Sequence, residues 1–119
     1  ALSFSTYIEK ILVAVSPNTP CTADYVKKYP VIVVKTKGLG YIEDLSDILS
    51  NRKYVDEDEV VMTIVSDLPF ITSTQIDDVL DNYYERKKPA MCVSVPAYLF
   101  EKYGIIDILR NNEDKTKIY

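Results

Sequence analysis

Short, unbroken runs of branched apolar residues recur along this chain, and the stretches between them carry a helical period. Ile11–Val15 reads ILVAV, Val31–Val34 VIVV, Val60–Val65 VVMTIV and Ala90–Val95 AMCVSV. A strand with one face in water alternates apolar and polar residues, so a run without alternation reads as a strand covered on both faces. Between the runs, Ile42, Leu45, Ile48 and Leu49 fall at helical spacing. Thr72 and Gln75 have the spacing of a capping box, and Ile76, Val79, Leu80, Tyr83 and Tyr84 then recur on one helical face. The basic ERKK sequence closes that helix where its dipole favours positive charge. Thr19 followed by Pro20 predicts another helix start, with Tyr25, Val26 and Tyr29 on one side and a stop before Pro30. A short helix is expected over residues 97–103, ended by Gly104, before a polar tail. Strand and helix in alternation predict an α/β fold, a parallel sheet covered by helices on both faces. Its 119 residues suit one domain spanning 1–119.

Charge narrows the partners. Fourteen Lys plus Arg stand against 18 Asp plus Glu, a net charge of −4. Nucleic acid calls for a basic excess, so a duplex-binding surface is not expected, whereas a small phosphorylated ligand needs only a few local groups. The chain has no histidine and no CxxC pair, which argues against a zinc site and against an imidazole base. Cys21 and Cys92 read as free thiols of a cytoplasmic protein. No apolar run approaches the ~20 residues of a membrane span. The first residues, ALSFSTYIEK, have neither the basic nor the apolar region of a signal peptide and no initiator Met, so a fragment or a processed form is expected.

In parallel α/β sheets, ligands bind outside the carboxyl ends of the strands. Three loops leave such ends here. The first, SPNTP, offers Ser16, Asn18 and Thr19 as hydrogen-bonding groups, or only as turn and cap chemistry. The second, KTKGLGY, brings Gly38 and Gly40, whose missing Cβ lets backbone approach a ligand. It is neither a dinucleotide fingerprint nor a Walker loop, and Glu43 and Asp44 just beyond it would repel a phosphate. A donor-rich group such as a purine base suits it better, with an ordinary strand-to-helix turn as the alternative. The third, VSDLPF, sets Asp67 between an apolar run and a proline. Magnesium often takes only one or two carboxylates beside phosphate and water, so a single acid suits that role. Asp67 reads equally well as a cap of the turn or of the helix near Thr72. The ten tyrosines mostly fall on apolar helix faces and read as core and half-buried surface rather than as a stacking platform.

ILVAVSPNTPCTADYV, VVKTKGLGYIEDL and VVMTIVSDLPFIT, in this order and at these intervals, resemble the archaeal adenosylcobinamide-phosphate guanylyltransferases and, more broadly, the nucleotidyltransferases related to molybdenum-cofactor guanylyltransferase. The likeness runs from about Ile8 to about Tyr103; SPNTP with GYIEDL is its more specific part. It implies a Rossmann-like three-layer sandwich with a mostly parallel sheet. It also implies transfer of a nucleoside monophosphate from GTP or a related triphosphate to a phosphorylated small-molecule acceptor, with release of pyrophosphate. On this resemblance Asp67 would bind Mg2+, and Ser16, Asn18, Thr19, Gly38, Gly40 and Tyr41 would lie beside the nucleotide. The glycine-rich phosphate loop that the family carries after its first strand has no match, and the run at Ile11–Val15 corresponds to the family's second strand. The later strands, with a second metal-binding acid, have no counterpart after Tyr103. An incomplete nucleotidyltransferase domain is therefore expected, inactive by itself. The competing expectation is a non-catalytic nucleotide-binding or dimerising domain that has lost the phosphate loop. In either case the third run would lack its neighbouring strand unless another segment or subunit covers it.

Overall fold

The structure, a computed structural model, describes residues 1–94. It divides into two units, Ala1–Leu80 and a second that begins at Asp81. The first opens with a single 3-10 turn over Leu2–Phe4, followed by β1 (Leu12–Val15), α1 (Pro20–Val26), β2 (Ile32–Lys35) and α2 (Tyr41–Ser50). A final helix, α3 (Ser73–Arg86), begins in the first unit and ends in the second.

The strands β1 and β2 pair in parallel, with Leu12 opposite Ile32 and Val15 opposite Lys35. Two parallel strands must be joined by a crossover, and α1 supplies it. The α/β reading and its parallel pairing therefore hold for the first two apolar runs. The third does not form a strand: residues 60–65 have no ladder partner, and Val60, Val61 and Val65 are exposed. A strand exists only through its neighbour. The edge of β1 away from β2 is open among the described residues, and nothing bridges it to this run. Residues 90–94 of the expected fourth run are likewise not strand; Val95, the expected helix over 97–103 and the polar tail lie outside the described residues.

The core of the first unit is small. Val15, Ala23, Val34, Val55, Ile76 and Leu80 are buried, and Ile76 is wholly so. Ala23 takes the inward position of α1 that Tyr25 and Tyr29 were expected to hold. The helix ends at Val26, and both tyrosines are exposed, their rings 5.9 Å apart with Lys28 Nζ 4.9 Å over Tyr25. α1 packs on β1 through the small Ala23, and the two tyrosines stay half in water. In α2 the apolar stripe is only half used, since Leu45 and Ile48 are partly covered while Ile42 remains 69% exposed. Val55 is buried within NRKYVDEDE, which reads in sequence as a solvated connection.

Polar contacts tie distant segments to this core. The Asp77 carboxylate of α3 accepts from the Ser5 hydroxyl, from the Thr6 N–H at 3.0 and 3.2 Å and from the Thr6 hydroxyl at 3.0 Å. Lys10 pairs with Glu59 at 2.9 Å, and Glu59 also accepts the Asp56 N–H at 2.8 Å. The segment leading into β1 is thus fastened to α3 and to the loop before residue 60.

Candidate functional site

Because β1 and β2 run parallel in register, both end on the same side. The loops that leave them, Ser16–Thr19 and Thr36–Gly40, begin as neighbours. The Thr36 N–H donates to the Val15 carbonyl at 3.0 Å and the Thr36 hydroxyl reaches the same oxygen at 3.5 Å, which joins the two loop roots. The loops also meet further out. A Cβ placed on Gly38 would lie 3.0 Å from Cγ and Cδ of Pro17 and 3.1 Å from Oγ of Ser16. Gly38 also has φ +70°, a left-handed conformation that costs glycine little.

The first loop is internally bonded. The Ser16 hydroxyl accepts the Asn18 N–H at 3.2 Å, and the Thr19 N–H donates to the Ser16 carbonyl at 3.1 Å. Thr19 occupies the N-cap of α1 with Pro20 at the first helical position, as expected, but its hydroxyl makes no cap bond. It turns back to the Ser16 carbonyl at 3.3 Å. Asn18 is exposed at the outside of this turn.

The second loop ends at Gly40, the N-cap of α2, with φ +147°. Asp44 Oδ1 reaches back to the Leu39 N–H at 3.4 Å, and the Asp44 N–H donates to the Gly40 carbonyl at 3.0 Å. The Glu43 carboxylate stands beside Gly40, with Oε2 2.5 Å from where a Cβ would be. Tyr41, the first residue of α2, is exposed. The acids of the first helical turn thus lie against the loop itself and make this stretch of the rim anion-repelling and rich in acceptors. From the sequence these acids were already expected to repel a phosphate. Their contact with the glycines depends on loop conformation, which spacing does not report.

Beside the root of the second loop lies a solvent-open cleft of about 300 Å³, lined by Lys35, Thr36, Lys37, Asp44, Asp47 and Tyr54 among others. Lys37 Nζ is 3.2 Å from Asp47 Oδ2. The cleft shares Thr36 and Lys37 with the loop and includes Asp44, but none of Ser16, Asn18, Thr19, Gly38, Gly40, Tyr41 or Asp67 lines it.

Asp67 is placed differently from the other candidates. It is exposed, in a stretch without helix or strand, and it makes no hydrogen bond or ion pair among the described residues. It does not cap α3. That role falls to Thr72, whose hydroxyl accepts the Gln75 N–H at 3.2 Å while Gln75 Oε1 accepts the Thr72 N–H at 3.0 Å. The structure therefore brings Ser16 and Gly38 together, sets Asn18, Thr19, Gly40 and Tyr41 along the same two loops, and leaves Asp67 at the end of an unpaired run. Among the described residues no three His, Cys, Asp or Glu side chains cluster as a metal centre. Both cysteines are exposed and free.

A parallel βαβ unit whose strand-end loops touch over the carboxyl edge is the architecture of an α/β ligand-binding rim. The chain is 36% identical over 106 residues to the adenosylcobinamide-phosphate guanylyltransferase of Methanocaldococcus jannaschii, a match that covers 81% of this chain and 50% of the relative. The chain therefore belongs to this guanylyltransferase family, as the resemblance implied. The chain spans about half the length of that curated relative. No family model and no solved structure matches it. No described helix is long and apolar enough to cross a membrane.

Proposed function

We propose that this chain supplies the nucleoside-binding half of a GTP-dependent nucleotidyltransferase. The enzyme would transfer a nucleoside monophosphate to a phosphorylated acceptor, adenosylcobinamide phosphate in cobalamin synthesis, and release pyrophosphate. The observation that carries the reading is the meeting of two strand-end loops at Gly38, Ser16 and Pro17, in segments shared in kind with a guanylyltransferase. The full domain would be a Rossmann-like three-layer sandwich, with further strands beside β1.

The chemistry of the rim suits the base and sugar more than the phosphates. Backbone N–H groups and the Asn18 amide can donate to a purine, and the Glu43 carboxylate can accept from one. Asp67 fits a magnesium ligand in donor type: it is a hard oxygen donor, exposed and not engaged elsewhere. It would hold Mg2+, whose charge neutralises the phosphates. What remains for the protein is positioning, which requires neither an imidazole nor a thiol.

Calorimetry with GTP and magnesium tests this. Saturable binding is expected. Asp67→Asn should weaken it at least about tenfold in the presence of magnesium and leave the metal-free affinity unchanged. Absence of binding, or indifference to Asp67→Asn, would sink the reading.

One observation favours a second reading, a dimerising domain without catalysis. Val60, Val61, Val65, Leu68 and Phe70 are exposed, Phe70 at 91%, while β1 has an open edge among the described residues. A second copy could cover both. The readings part on pyrophosphate release by the full-length protein, which the second one forbids with any acceptor.

A further inference from the structure

The contact that joins the two rim loops is made by a residue with no polar group to offer a ligand. Pro17 stands between Ser16 and Asn18, its ring fixed in φ, and its Cγ and Cδ face the bare Cα of Gly38. On one side the loop is held by the Asn18 N–H to Ser16 Oγ bond and by the Thr19 N–H to Ser16 carbonyl turn. On the other, Thr36 is fastened to Val15 at the loop root and Asp44 to Leu39 at its end. Each loop is therefore pinned at its own ends, and the Pro17–Gly38 approach fixes the distance between their tips.

We propose that Pro17 is a positioning residue of this rim: its ring, seated on Gly38, sets SPNTP against TKGLG so that a nucleoside bridges both loops. The inference rests on the nucleotide-binding reading above and adds a residue that touches no ligand itself. Loss of the ring frees the tips to separate. A side chain on Gly38 presses on the ring, because a Cβ at 3.0 Å from two ring carbons is tighter than nine in ten such contacts and the ring must give by a few tenths of an ångström.

Backbone strain must be separated from the contact, since Gly38 is also left-handed. Asparagine tolerates that conformation better than other residues with a Cβ. The experiment is a double-mutant cycle on the full chain, with Pro17→Ala, Gly38→Asn and the pair, read as the Kd for GTP with magnesium. Unfolding midpoints are measured on the same four proteins, and amide exchange of residues 36–40 is measured without ligand. Each single change is expected to raise Kd about tenfold, with faster exchange at residues 36–40 in Pro17→Ala. The pair should be no worse than Gly38→Asn alone, since the alanine removes the atoms that clash. Unfolding midpoints that fall together with affinity, or effects on Kd that multiply in the pair, would overturn the proposal and leave the nucleotide reading standing. If the unaltered chain binds no GTP, the nucleotide reading falls and the proposed role falls with it. The exchange data would then report only whether the two loops are joined.

Discussion

Asp77 shows how one half-buried carboxylate can hold a chain segment in place. Three donors from Ser5 and Thr6 converge on it, and this hydrogen bonding, led by the Ser5 hydroxyl, holds its pKa below the ordinary aspartate value. A depressed folded-state pKa means that the unfolded chain binds the proton more readily. The latch therefore contributes above the ordinary carboxylate range and is lost as pH falls through the lower, folded-state value. Amide exchange at Thr6 should quicken, relative to its intrinsic rate, as pH drops below about 4, and Asp77→Asn should show the quickened exchange already at neutral pH. Unchanged protection in the variant would mean that the segment is held by something else. Glu59 obeys the same sign: the Asp56 N–H, then Lys10, lowers its pKa.

Among the elements, those with a local signature were legible in the sequence and those that depend on a distant partner were not. The box at Thr72 and Gln75 is written within four residues, and it forms with both reciprocal bonds. Thr72→Ala should lower stability by about 1 kcal/mol, read from the urea midpoint, while Thr72→Ser should stay close to the parent. Gly40 and Asp44 at the start of α2, and Pro20 at the start of α1, are local in the same sense. The runs at 60–65 and 90–94 have the composition of buried strands, yet composition cannot supply a neighbour, and neither is strand here. The inward face of α1 was misread for a related reason. Periodicity marks Tyr25 and Tyr29 as apolar enough, but which residue faces β1 is set by tertiary packing, and it is Ala23 that is buried. The rim was legible as far as topology carries it. Parallel strands place their loops on one side, so the nearness of Ser16 and Gly38 followed; the Pro17 contact and the position of Glu43 depend on loop dihedrals and did not.

At the scale of the whole molecule, the question is what covers the apolar surface that the first unit leaves bare. Its buried side chains number six among the described residues, whereas Val60, Val61, Val65, Leu68 and Phe70 are all exposed within eleven positions. An exposed apolar stretch and an open strand edge each invite pairing with another chain. Burial of apolar surface gains about 25 cal/mol per Å², so a second copy or a further strand would be favoured at this site over water. The chain alone is therefore expected to self-associate, with a sedimentation coefficient that rises with protein concentration. Val65→Lys puts a charge into that stretch at an exposed position. Such a surface change should move the unfolding free energy by less than about 0.5 kcal/mol while it restores a monomer. A chain that sediments as a monomer at every concentration, with and without the lysine, would mean that these residues remain in water, and the dimerising reading would lose the observation that favours it. If the lysine abolishes association and GTP binding persists, the exposed run is an assembly surface, and the nucleotide rim acts independently of it.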